Sequence, residues 1–177
     1  MASFLYSTKN ADSSIHQLPL SLDRESVLGL LHNDALLPRI LWPNTIMADK
    51  QQTLSGIKGI LTDSNVHASL LKLTDGLSCV EKVGGFTMTV SYIIVDGGEA
   101  TGDVKRSRCL RLREERSIRA LKPIASFTKF KNESPVKTRN LLRFFEAFSQ
   151  NGADSMAALE SIAVADSNND KQKASYV

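Results

Sequence analysis

The residues whose types and spacing could do chemistry lie in one block. It runs Lys105, Arg106, Arg108, Arg111, Arg113, Arg116, Arg119 and Lys122, then Lys129, Lys131, Lys137, Arg139 and Arg143. Arginine dominates the first half, and its planar fork grips phosphate oxygens in pairs where a lysine ammonium acts as a point charge. The expected chemistry is therefore phosphate neutralisation rather than bond making. Nucleic acid and anionic lipid both offer that ligand. Each phosphate contact on a nucleic acid adds about one unit of salt dependence, and each basic residue at an anionic membrane is worth about 1 kcal/mol. Only Phe127 and Phe130 interleave the block, so base reading by stacking is poorly supported and sequence-independent binding is expected. The same two rings, beside their lysines, are candidates to dip into a lipid interface.

Other constellations carry less. Gly97-Gly98-Glu99-Ala100-Thr101-Gly102 has phosphate-loop spacing, but Asp103 stands where the lysine belongs and Glu99 would repel a triphosphate, so it reads as a turn. His16, His32 and His67 are solitary, with no HExxH pair, and no GxSxG is present. Glu114-Glu115, flanked by arginines, reads as local ion-pair partners rather than acid and base. Cys79 and Cys109 lack a second ligand at zinc spacing, and in a chain with no secretory signal they read as reduced thiols of a cytosolic protein. No enzyme, metal or cofactor is expected from these patterns.

The charge of the block is concealed by its flanks. The 177 residues carry 22 Lys+Arg and 19 Asp+Glu, a net +3. Residues 1–104 hold 7 basic and 11 acidic groups (−4), residues 105–143 hold 13 and 3 (+10), and residues 144–177 hold 2 and 5 (−3). A concentrated basic segment is what an electrostatic footprint for phosphate looks like; a merely solvated strand and helix face is the alternative. The acidic flanks could also meet the basic face of a neighbouring copy. With 42% hydrophobic residues the chain can build a core, and its length fits one domain with tails. The longest apolar run, Tyr92-Ile93-Ile94-Val95, is far short of the roughly 20 residues that span a bilayer as a helix.

The elements that must position these groups follow from pattern. Residues 1–20 read as a flexible arm carrying the small cluster Phe4, Leu5 and Tyr6. A helix is expected from Ser21 as N-cap, with Val27, Leu28, Leu30 and Leu31 on its apolar face. Pro38 and Pro43 bracket a short extended segment or turn with the only tryptophan, Trp42. Leu54, Ile57 and Leu61 predict a helix over residues 48–61, weakened by Gly56 and Gly59. Residues 66–73 fit helix or strand. Phe86, Met88, Val90, Tyr92 and Ile94 alternate with Thr87, Thr89 and Ser91, which predicts a strand between Gly84-Gly85 and Asp96-Gly97-Gly98. Residues 104–112 supply its partner, a hairpin with a basic outer edge. Ser134 as N-cap and Pro135 open a helix whose Leu141, Phe144, Phe145 and Phe148 face the core, with Gly152 as its stop. Asp154 caps a last helix with Met156, Leu159, Ile162 and Ala163 inward. The reading is an α+β fold: a single domain over residues 21–165, an antiparallel sheet with a central hairpin packed against helices, and a disordered tail at 166–177.

Gly-Gly-Phe-Thr-Met-Thr-Val-Ser-Tyr-Ile-Ile-Val-Asp-Gly-Gly, spanning residues 84–98, resembles a strand of rhabdovirus matrix proteins, in which a glycine leads into a Thr-Met-Thr core that closes on an acidic turn. The direct likeness covers residues 85–97, and in size the chain is similar to the short plant cytorhabdovirus members. The resemblance implies a non-enzymatic inner-shell virion protein that condenses the ribonucleoprotein, lies against the inner membrane leaflet and self-associates during budding, in the host cytoplasm and at the membrane periphery. It makes Phe4, Leu5 and Tyr6 candidates for docking on a neighbouring copy. The family's N-terminal basic charge and PPxY motif are not matched, since residues 1–20 hold only Lys9 and no PPxY or PTAP. A plant-virus nucleocapsid or coat protein using the same arginines on RNA, and a soluble non-viral interaction domain, are the other readings of these residues.

Overall fold

The computed structural model describes residues 5–97, 109–130 and 134–162. Two short strands open the chain, β1 (Tyr6–Asn10) and β2 (Ser14–Gln17), followed by helices α1 (Arg24–Leu31) and α2 (Leu37–Leu41). Six strands follow: β3 (Met47–Thr53), β4 (Gly56–Leu61), β5 (Val66–Leu73), β6 (Gly76–Val83), β7 (Phe86–Asp96) and β8 (Leu110–Leu121). Helices α3 (Lys122–Phe127) and α4 (Val136–Gln150) come next, then helical residues 155–162. All strands join one antiparallel sheet in the order β1-β8-β7-β6-β5-β4-β3, with β2 beside β1 on the same flank of β8. This is a single α+β domain.

Turn chemistry and close approach shape the meander. Gly84-Gly85 closes β6 onto β7 with Val83 opposite Phe86, and both glycines take the left-handed φ values, 51° and 85°, that a two-residue hairpin turn demands. At Gly76 a Cβ would stand 1.9 Å from the Tyr92 carbonyl oxygen, so only glycine lets β6 start there.

Residues directly opposite one another share a sheet face, and the buried face runs in rows. Leu70, Cys79 and Val90 form one row, Leu77 and Tyr92 the next, and Ile94 with Leu112 a third. Leu141, Phe144, Phe145 and Phe148 of α4 belong to the same core, with Phe144 and Phe148 stacked at 6.0 Å. Polar contacts fix the layers: the Tyr92 and Thr138 hydroxyls lie 3.1 Å apart, and the Trp42 indole N–H donates to Glu81 Oε1 at 2.7 Å. Lys137 forms an ion pair with the other Glu81 oxygen, which ties α4 to β6 and the end of α2. Burial pushes the Cys79 thiol up to about 12, so it packs as a small apolar group.

Several expectations are corrected. Residues 6–17 are not a free arm, because β1 pairs Tyr6 with Leu121 through Asn10 with Ser117 and β2 pairs Ser14 with Glu114 through Gln17 with Arg111. Residues 48–61 are not a helix but the β3–β4 hairpin. Leu54 sits fully exposed near the turn while Ile57 and Leu61 are buried, and Gly56 meets the Leu70 carbonyl more closely than a side chain could. Here three leucine-type residues at helical spacing arose by chance from two strands and a turn. The segment between Pro38 and Pro43 is helical, since proline is tolerated in the first turn of α2. The first helix is capped by Asp23, whose carboxylate accepts from the Ser26 N–H at 2.7 Å, rather than by Ser21. Pro135, not Ser134, occupies the N-cap of α4, and Met156 is half exposed. Residues 66–73 are strand, and Phe86 and Met88 lie toward the open end of β7, so its buried alternation begins at Val90. The partner strand of the hairpin is longer than expected and is no outer edge, because β1 and β2 cover its far side. Ala163 and the tail at 166–177 lie outside the described residues.

Candidate phosphate-binding and membrane-docking surface

Strand pleating splits the basic block in two. Leu110, Leu112, Glu114, Arg116, Ile118 and Ala120 share one face of β8, and Arg111, Arg113, Glu115, Ser117, Arg119 and Leu121 the other. The first face turns toward the core. Glu114 is completely buried there. It contacts Arg116 Nε at 3.0 Å, and His16 Nε2 approaches its other oxygen at 3.1 Å. Because a carboxylate only accepts, His16 Nε2 is the donor in that contact. Arg116 also lies over the Phe130 ring at 5.8 Å. Arg116 is therefore part of the interior, and His16, solitary in sequence, has a partner 98 residues away.

The outer face is different. Arg111 and Arg119 are exposed, and half-exposed Arg113 pairs with neighbouring Glu115 at 3.0 Å. Arg119 lies over the Tyr6 ring at 5.7 Å, which orients its guanidinium. Tyr6, expected to serve self-association, thus sits in the edge strand beside Arg119, while Leu5 just before it is 61% exposed. Lys105, Arg106, Arg108, Lys131 and Phe4 lie outside the described residues.

At the end of β8 the chain turns into α3, packed on β1 and β8 through buried Ala125. The Lys122 N–H donates to the Leu5 carbonyl at 2.9 Å, and Lys9 Nζ donates to the Thr128 carbonyl at 2.6 Å, which pin α3 to β1. Around this corner Leu5, Leu121, Ile124 and Phe127 are exposed, the last to 86%. Lys122 and Lys129 are exposed on the same short stretch. Phe127 and Phe130 consequently part company: Phe130 packs under Arg116, and Phe127 stands in solvent. In sequence the two looked alike; only the fate of Arg116 separates them.

Among the described residues no group of three or more His, Cys, Asp or Glu side chains could hold a metal ion, and no helix is long and apolar enough to cross a membrane. No family model matches the chain, and no curated protein matches it. Among solved structures, a point mutant of Thalictrum flavum norcoclaurine synthase in complex with a transition-state analogue is similar with a TM-score of 0.44 at 10% identity, covering 88% of this chain and 97% of that one. A likeness at that level transfers neither substrate nor activity.

Proposed function

We propose that this chain is a non-enzymatic structural protein of matrix type, which docks peripherally on an anionic membrane surface through the α3 corner. The observation that carries the reading is Phe127, exposed to 86% on a helix end that also exposes Lys122, Pro123, Ile124 and Ser126, with Lys129 exposed just beyond it. Phe127 is accompanied by exposed Leu5, Leu121 and Ile124, and apolar groups beside lysines gain at a lipid interface, where apolar burial and attraction to anionic headgroups add. Lys122 and Lys129 supply the charge there. In this reading the protein lies on an inner leaflet in the host cytoplasm and in the virion shell, self-associates, and holds the ribonucleoprotein through its remaining basic groups.

Flotation with vesicles tests it. The protein should float with phosphatidylserine-containing vesicles and not with neutral phosphatidylcholine vesicles, and Phe127→Glu should abolish flotation while urea unfolding shifts by less than about 0.5 kcal/mol. Absence of flotation by the unaltered protein would sink the membrane reading. Salt-sensitive RNA binding without flotation would assign the basic face to a coat-protein role instead.

A further inference from the structure

A second cationic feature lies on the outer sheet face, where Arg119 of the basic block meets strands that the block does not include. The register places Arg119 (β8) opposite Thr87 (β7), Thr87 opposite Lys82 (β6), and Lys82 opposite His67 (β5). Directly paired residues share a face, so these four side chains form one row across four strands. Neighbouring strands are about 4.8 Å apart, which puts the bases of Arg119 and Lys82 on either side of Thr87, within mutual reach of two long side chains. They border an open groove of about 760 Å³ at the end of the sheet, with the Gly84-Gly85 turn at its rim. None of the residues lining the groove is a carboxylate, and among the described residues no ion pair engages Lys82 or Arg119. Tyr6 holds the guanidinium from the other side, and the two glycines leave the rim open, with nothing within 4 Å of where a Cβ would stand.

We propose that this groove is a discrete binding site for a phosphate monoester, with Arg119 and Lys82 neutralising the dianion and His67 and the Thr87 hydroxyl donating to its remaining oxygens. A guanidinium fork suits two terminal oxygens of one phosphate, the ammonium supplies the second charge, and the imidazole offers at least one N–H in either protonation state. The groove has room for the alcohol that the phosphate esterifies. The site stands independently of whether the α3 corner docks on a membrane. Where it does, a lipid headgroup ending in a phosphate monoester and a soluble phosphate ester are the two sources of the same chemistry.

The test is amide-resolved NMR of the full chain titrated with inorganic phosphate at constant ionic strength, chloride serving as the control anion. Phosphate should move the signals of Gly84, Gly85, Thr87 and the Arg119 side chain in a saturable way, leaving those of α3 in place. Lys82→Glu and Arg119→Glu, both at exposed positions whose folding the same spectra report, should each weaken binding about tenfold or more. Phosphate shifts that match those of chloride, or that survive Lys82→Glu unchanged, would overturn the site. A vesicle arm separates the sources. Tighter flotation with phosphatidic acid than with phosphatidylserine at equal surface charge, erased by Lys82→Glu, assigns a lipid headgroup; saturable phosphate shifts with equal flotation assign a soluble ester. Phe127→Glu should leave the phosphate shifts intact, so loss of docking and loss of this site are told apart.

Discussion

Arg116 and Arg119 stand three residues apart on β8 and are the same residue type in the same basic run, yet the fold uses them oppositely. Arg116 points inward, with a 12% exposed side chain, against a carboxylate that has no exposure at all. Arg119 points outward, over a tyrosine ring and beside a groove without acids. A charge taken from water must be neutralised where it lies, because the interior cannot screen it, whereas an outward charge can wait for a ligand. The difference teaches that net charge along a sequence overstates the surface available for phosphate. Part of it is consumed holding the sheet together.

Deleting residues 1–17 should have the largest effect, because it strips β1 and β2 from β8, uncovers a sheet edge and leaves Glu114 without His16. The truncated chain should be insoluble or should lose its cooperative urea transition; a soluble, cooperatively folded product would restore the picture of a dispensable arm. Glu114→Ala comes next, since it leaves a buried guanidinium without its carboxylate. A loss of about 3 kcal/mol in urea unfolding is expected, against a change within about 0.5 kcal/mol for Arg119→Glu on the outer face. Equal costs for the two would mean that the division of β8 into an interior and a free face is wrong.

The smallest effect sharpens the scale between these extremes. Asp34, partly exposed, accepts from Lys72 Nζ at 2.9 Å and from the Gln52 amide at 3.1 Å. Burial pushes its carboxyl upward, but the bonds from Lys72 and Gln52 outweigh it, and the net position is below the usual 3.8. A carboxyl depressed in the folded state adds stability above its unfolded value, and that contribution fades as the pH falls through the folded value. Asp34→Asn should therefore cost less than about 1 kcal/mol at neutral pH, with the two proteins converging in acid. A difference that persists unchanged in acid would mean that the contact is steric rather than ionic.

Much of the fold was legible in the sequence, and the reasons are local. Alternation of Val90, Tyr92 and Ile94 marked β7, the double glycine at 84–85 marked its turn, and the stripe of Leu141, Phe144, Phe145 and Phe148 marked the core face of α4. Such patterns report one element's contact with one apolar environment, and they need no partner to be read. The β3–β4 hairpin was misread for the same reason: over 14 residues, apolar groups three and four apart fit a helix, and the glycines argue for a hairpin only because β5 presses against Gly56 and β3 against Gly59.

What the sequence by itself determined was the existence of a core, the α+β class, the main strand and helix of its two layers, and a concentration of arginine suited to phosphate. What only the tertiary structure decided was which of those arginines face water. It also decided that residues 6–17 close the sheet, that His16 meets Glu114, and that His67 and Lys82 join Arg119 in one row. The physical reason is that strand pairing relates residues tens of positions apart through backbone hydrogen bonds that carry no side-chain signature. Side-chain types announce what chemistry is possible, and register alone decides which of them meet.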